Sequence, residues 1–216
     1  MDLSKKVFLA KLAYEPDTSL ITEQLNFLFD ISGIEYIYVE RTDTEGFIFR
    51  TGNDCVIAFS GTESMKDLWQ DLIFIPSKYK SGYLHSGFKK IMRLVHDPVR
   101  DSVNNLFKKE KPDKIIAIGH SLGAPIAMGA CDSLFLSHYS SEREIVTFGC
   151  PNGWSKKARE SFNRRHPNTI NFINPFDYVT YLLGITTGRP GKDIKLSGKY
   201  GHMMSKYIYN IGLYNQ

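Results

Sequence analysis

The stretch Ile115-Ile116-Ala117-Ile118-Gly119-His120-Ser121-Leu122-Gly123-Ala124 decides the fold. An apolar run leads into Gly119-His120-Ser121-Leu122-Gly123, and a run rich in small residues, Ala124 to Ala130, follows. This is the pattern of a strand, a sharp turn and a helix, with a serine at the apex of the turn. Glycines two before and two after the serine answer a steric need, since side chains there would collide across the turn. The turn holds the serine backbone in a strained conformation and lifts Ser121 Oγ clear of the sheet. It also sets Ser121 at a helix N-terminus, where amides point toward a developing negative charge.

Outward from this stretch, strands and helices alternate. Strands are predicted over 114–118, 144–149 and 169–173, with helices over 121–136 and 154–165 between them. That alternation implies a parallel sheet with right-handed crossovers. Earlier, helices are predicted over 4–14 and 18–31, the second capped by Asp17 or Thr18. Strands 34–40, 46–50 and 54–60 follow, and pairing among them as hairpins would make the sheet mixed. Segment 74–86 reads as irregular, 87–109 as a long helix that Pro98 is expected to kink or break, and 202–213 as a final amphipathic segment. The expectation is a single α/β domain over residues 1–216, with a mostly parallel central sheet and helices on both faces.

Composition bounds the function classes. Hydrophobic content of 42% and charged content of 23% are ordinary for a soluble globular protein. Three cysteines, Cys55, Cys131 and Cys150, lie in apolar stretches and read as buried free thiols rather than a disulfide framework. No signal peptide, no run of 18 apolar residues, no zinc-ligand spacing, no Walker loop and no nucleic-acid module is found, so a cytoplasmic protein without metal is expected. The net charge of +4 is unevenly spread: residues 151–216 carry ten Lys and Arg against three Asp and Glu. Lys156, Lys157, Arg159, Arg164 and Arg165 share one predicted helix, which reads as a solvated face or as a face for an anionic surface.

A serine hydroxyl is a poor nucleophile near neutral pH and needs a base, which in turn needs an orienting carboxylate. G-x-S-x-G is the nucleophile elbow of α/β hydrolases, in which the three groups follow the order Ser, acid, His along the chain. Only His138, His166 and His202 lie after Ser121; the first two fall on or beyond exterior helices, which leaves His202 as the base. Among the acids, Asp132 lies on the elbow helix and Asp193 in a Gly-rich loop. Asp177 directly follows strand 169–173, at the edge where ligands gather in parallel sheets. For the oxyanion, one donor is expected at the amide of Leu122 and the other at Thr62, in the turn after strand 54–60.

At this point the chain resembles a family. Phe59-Ser60-Gly61-Thr62 followed by Asp67-Leu68-Trp69-Gln70-Asp71-Leu72 is similar to the F-R-G-T…D-W-x-x-D-L region of the class 3 lipases, the fungal-type triacylglycerol lipases. His85-Ser86-Gly87-Phe88 resembles their H-x-G-F, Gly119 to Gly123 their G-H-S-L-G, Thr147 to Pro151 their T-F-G-x-P, and Asp177-Tyr178-Val179 their D-x-V. Ser60 and Asn152 stand where the family often has arginine, and prolines that commonly follow the acid are absent. The resemblance implies an α/β-hydrolase fold, Ser121, Asp177 and His202 as triad, Thr62 and Leu122 as oxyanion donors, no cofactor, and hydrolysis of carboxylic esters in acylglycerols or related lipids.

Segment 64–73 falls where the family places its lid. Met65, Leu68, Trp69, Leu72 and Ile73 follow the spacing of one helical face, which fits both a mobile lid and a fixed helix packed on the core. The expected partners are a lipid or other ester substrate and transient contact with a membrane or lipid surface, with no nucleic acid. Phospholipase A1-type or aryl-ester hydrolysis, acyl transfer, and an inactive hydrolase fold used for binding are the competing readings.

Overall fold

A computed structural model describes residues 1–61, 75–108, 110–136, 142–183 and 187–215. Thr62 and the predicted lid positions Met65, Leu68, Trp69, Leu72 and Ile73 lie outside the described residues, as does His138.

Nine strands are described: β1 (Ile31–Val39), β2 (Thr44–Thr51), β3 (Asp54–Phe59), β4 (Pro76–Tyr79), β5 (Gly82–His85), β6 (Lys114–His120), β7 (Glu142–Phe148), β8 (Thr169–Ile173) and β9 (Lys192–Lys195). Six helices accompany them: α1 (Leu3–Leu12), α2 (Thr18–Leu28), α3 (Ser86–Phe107), α4 (Gly123–Leu136), α5 (Lys156–Arg165) and α6 (Met204–Tyr214). Seven strands form one sheet in the order β1-β2-β3-β6-β7-β8-β9. The first three pair antiparallel, and every later pairing is parallel, from Ala58 beside Ile118 to Phe172 beside Ile194. The sheet is therefore mixed, with its parallel part leading into the elbow.

The central strands are buried on both faces and accordingly read as unbroken apolar runs. Alternate residues serve opposite cores: Cys55, Ile57, Phe59, Ile115 and Ala117 meet α3, α4 and α5, while Val56, Ala58, Ile116 and Ile118 meet α1, α2 and α6. Asp17 caps α2, accepting from the amides of Ser19 at 2.8 Å and Leu20 at 3.3 Å.

Three local readings are corrected. Residues 76–85, expected to be irregular, form an antiparallel hairpin across Lys80, whose φ of 51° closes the turn. The hairpin is held from outside its own sequence, by single bridges linking Leu84 to Trp154 and Trp154 to Gly188. Of the kink or break expected at Pro98, the break does not occur; α3 runs through it for 22 residues. The lost backbone bond is outweighed by a buried stripe on either side of it, Phe88, Ile91, Val95, Val99, Val103 and Phe107. Finally, β9 in Lys192-Asp193-Ile194-Lys195 has no apolar run to announce it; it is an edge strand that pairs only with β8.

Candidate functional site

Because β3, β6, β7 and β8 run parallel, the residues following each of them gather at one edge of the sheet: Gly61, Ser121, Gly149 and Asp177. The elbow there has the steric form its sequence demands. A methyl group on Gly119 would stand 2.2 Å from the Gly123 carbonyl oxygen, and one on Gly123 would stand 2.4 Å from the Phe59 oxygen. Ser121 has φ 54°, a left-handed conformation that costs a non-glycine residue on the order of 1–3 kcal/mol. Its amide is held by the Phe148 carbonyl at 2.9 Å, which ties the elbow to the neighbouring strand. Leu122 follows, buried, and α4 begins at Gly123.

Asp177 is fully buried beyond the end of β8, where it caps a short 3-10 turn over Tyr178–Tyr181. Both carboxylate oxygens lie against His202 Nδ1, at 2.9 and 2.8 Å. A carboxylate can only accept, so Nδ1 carries a proton, and in the neutral ring this leaves Nε2 with the lone pair. Nε2 is buried and has no hydrogen-bond partner among the described residues. Asp177 also accepts from the Val179 amide at 3.1 Å and from Tyr207 Oη at 2.6 Å. Burial, with the Asp177 charge next, pushes the Tyr207 hydroxyl well above its usual range and keeps it a donor.

The loop that carries His202 is clipped to the loop that carries Asp177. Asn174 Nδ2 donates to the Gly201 carbonyl at 3.0 Å, and the Gly201 amide donates to Pro175. Asn210, buried on α6, donates to Asn174 Oδ1 and to the Lys199 carbonyl, and accepts from the Lys199 amide. Gly149, at φ 62°, lies beneath the pair; a side chain there would come within 2.8 Å of the His202 ring.

Ser121, Leu122, Asp177 and His202 are thus brought to one sheet edge, and Thr62 lies outside the described residues. The rejected histidine and acid are also accounted for. His166 Nε2 and Arg165 Nε both donate to Asp132 Oδ1, at 3.1 and 2.7 Å, and Tyr79 Oη donates to Oδ2 at 2.6 Å. This cluster joins α4 to α5 and to the β4–β5 hairpin. His85, in the H-x-G-F motif, caps α3 by accepting from the Gly87 amide at 3.2 Å. Sequence reasoning missed Tyr14, His120, Asn174, Tyr207 and Asn210; the only local signal was the place of His120 inside the elbow. Among the described residues, no group of three or more His, Cys, Asp or Glu side chains is arranged to hold a metal ion, and no helix is long and apolar enough to cross a membrane.

Comparison with known proteins gives this edge a context. The sequence model of the lipase (class 3) family matches residues 56–187. A secreted mono- and diacylglycerol lipase A of Penicillium cyclopium is 25% identical over 152 residues, which are 68% of this chain and 49% of that protein. The chain therefore spans about half the length of the curated relatives it matches. The triacylglyceride lipase of Rhizomucor miehei superposes with a TM-score of 0.77 at 18% identity, over 90% of this chain and 78% of that one. A triacylglycerol lipase whose catalytic centre was described as a serine protease triad gives 0.77 at 19%, over 91% and 79%. The shared fold is that of the α/β hydrolases, as expected.

One expectation is overturned. The cytoplasmic setting inferred from the sequence conflicts with both curated relatives, which are named as secreted. The inference rested on the lack of a recognisable signal peptide or membrane-spanning run; the cysteines do not decide the compartment either, since all three thiols are fully buried and burial pushes their pKa upward, Cys131 and Cys150 to about 12. Thiols so protected resist oxidation in either compartment and carry no address.

Proposed function

The chain belongs to the class 3 lipase family, and from that premise we propose that it is a serine-dependent hydrolase of carboxylic esters in lipids, with acylglycerols as the substrate class. The observation that carries the proposal is the buried Asp177–His202 pair, at 2.8 Å, on the same edge as a serine held at φ 54°. Ser121 Oγ attacks the ester carbonyl while His202 Nε2 takes the hydroxyl proton. Asp177 keeps Nδ1 protonated and stabilises the imidazolium that forms. The amide of Leu122 and the Thr62 donor expected from the sequence hold the tetrahedral oxyanion. Nε2 then gives its proton to the departing alcohol as the carbon–oxygen bond breaks, which leaves the acyl group on Ser121. Water enters, loses a proton to Nε2, and attacks the acyl-enzyme by the same path; the carboxylic acid departs and the serine is restored.

Contact with a lipid surface belongs to the same proposal. Phe176, Tyr178, Tyr200 and Met203 flank Asp177 and His202 in the chain and are 82, 68, 65 and 68% exposed. The rings of Phe176 and Tyr200 pack edge to face at 5.1 Å, so the two loops present one apolar rim. An extracellular setting is part of the reading, drawn from the names of the curated relatives.

The test is labelling with a fluorophosphonate and mapping of the adduct, together with hydrolysis of p-nitrophenyl esters of graded chain length. The adduct is expected on Ser121. Ser121→Ala is expected to lose activity on the order of 10⁶ in kcat with the fold intact. A variant that keeps a tenth of wild-type activity would overturn the proposal.

A further inference from the structure

His120 stands between Gly119 and Ser121, points to the α1 and α6 side of the sheet, and is buried. Its ring lies 4.7 Å from that of His202 and meets the rings of Tyr14 and Tyr207 edge to face at 5.7 Å. Its two nitrogens reach in opposite directions. Nε2 lies 2.8 Å from the main-chain carbonyl of His202, and Nδ1 lies 2.6 Å from Tyr14 Oη. Tyr14 Oη in turn lies 2.8 Å from the amide nitrogen of Gly61, in the turn that leads to Thr62.

The chemistry of the atoms fixes every proton in this chain. A carbonyl only accepts, so His120 Nε2 is the donor to His202. Burial, and next the neighbouring His202, hold the His120 pKa well below its ordinary value, so the ring is neutral and Nδ1 accepts. Tyr14 therefore donates its hydroxyl proton to Nδ1, and its oxygen accepts from the Gly61 N–H. The direction is unbroken: Gly61 amide to Tyr14, Tyr14 to His120, His120 to the His202 carbonyl.

We propose that Tyr14 and His120 are positioning residues of the hydrolytic centre, which fix the oxyanion-side turn at Gly61 and the backbone of the base His202 relative to the same elbow. The inference rests on the hydrolase reading above. The physical need is plain. The Ser60 amide makes the last bond in register with β2, to the Glu45 carbonyl at 3.1 Å, and the next amide, Gly61, leaves the ladder and bonds to Tyr14. Gly61 lies against the nucleophile, since a methyl group there would be 2.8 Å from Ser121 Cβ. With its amide committed to Tyr14, Gly61 is not itself the oxyanion donor. Oxyanion donors and a general base act only when held within a fraction of an ångström, and misplacement by about 1 Å costs on the order of 10² in rate. A side chain rooted beside Ser121 that grips both loops supplies that tolerance. Tyr14, from the turn after α1, is the outer anchor.

The experiment begins with Tyr14→Phe, which removes one oxygen and little volume. Three quantities are read: kcat and KM on a soluble short-chain ester, affinity for a boronic acid that forms a tetrahedral adduct with Ser121, and amide hydrogen exchange at Gly61 by NMR. We expect kcat and boronate affinity each to fall about tenfold or more, KM to stay within about twofold, and Gly61 exchange to quicken about tenfold. His120→Gln keeps a donor and an acceptor, whereas His120→Phe keeps bulk alone; the first is expected to retain clearly more activity than the second. The inference is overturned if Tyr14→Phe leaves kcat and boronate affinity within twofold of wild type, or if the two His120 variants are equally impaired. Failure of the underlying reading looks different: a wild-type protein that cleaves no ester and binds no boronate, with Gly61 exchange still responding to Tyr14→Phe.

Discussion

Among the described residues, Tyr207 Oη is the side-chain hydroxyl that donates to the Asp177 carboxylate, at 2.6 Å, and it comes from α6, just past the loop of His202. A buried carboxylate needs its lone pairs filled, and hydrogen bonds to charged groups are worth about 1.5–3 kcal/mol. Tyr207→Phe is therefore expected to lower stability by about that amount, measured by urea unfolding, because it leaves Oδ2 short of a donor. Activity should fall less than in Asp177→Asn, since the His202 contact survives. Equal unfolding midpoints for Tyr207→Phe and wild type would show that the hydroxyl contributes nothing net. Nothing in Met204-Ser205-Lys206-Tyr207 marks this tyrosine among the 12 of the chain. Ser121 was legible because the elbow writes its own glycines around it. Asp177 and His202 were legible because chain order leaves few candidates after the nucleophile. Tyr14, Tyr207 and Asn174 were not, since a supporting residue is defined by which distant loop it touches.

Among the elements, α4 and α5 are joined by a polar cluster, and its acid response can be worked out. Burial alone would raise the Asp132 pKa; hydrogen bonds from His166, Arg165 and Tyr79 outweigh it and hold the carboxyl well below its usual range. Burial, in turn, pushes His166 below its ordinary value despite Asp132, so the ring is neutral in the native state. Both shifts are depressions, so both make stability present at higher pH and lost on acidification. The unfolded histidine takes up a proton as pH falls through about 6.5, which the native one resists, and Asp132 adds its loss below about pH 4. Tm should therefore drop between pH 7.5 and 5.5, and His166→Asn should flatten that slope, with buried His120 supplying the remainder. Asp132→Ala strands Arg165 and His166 together and is expected to cost about 3–5 kcal/mol by chemical denaturation. Retention of wild-type stability would mean that the cluster is dispensable. Most elements were legible, because amphipathic or fully apolar runs match the periods of helix and strand. The β4–β5 hairpin and β9 were not, because Trp154 and the edge of β8, both remote in sequence, decide them.

For the whole molecule, the sheet edge that gathers the candidate residues Ser121, Asp177 and His202 also carries the apolar rim, and the C-terminal region is basic. Exposed aromatic groups beside cations suit a lipid–water boundary. Phe176→Ser combined with Met203→Ser is expected to weaken sedimentation with phosphatidylglycerol vesicles about tenfold or more while sparing kcat on a soluble ester. Neither side chain bonds to Asp177 or His202. Undiminished vesicle binding would place the lipid contact elsewhere on the surface.

By itself the sequence determined the elbow, the alternation of strand and helix, the parallel half of the sheet, and the identities of Ser121, Asp177 and His202 as candidates. These follow from local sterics and from short-range periodicity, which act between residues a few positions apart. Only the tertiary structure decided that Asp177 is fully buried against His202, that Asn174 and Asn210 clip their loops together, and that His120 joins Tyr14 to the His202 carbonyl across 106 and 82 residues of chain. Such contacts form only once parallel strands bring their ends to a common edge, and a hydrogen bond carries no mark of its partner in the residues that flank it.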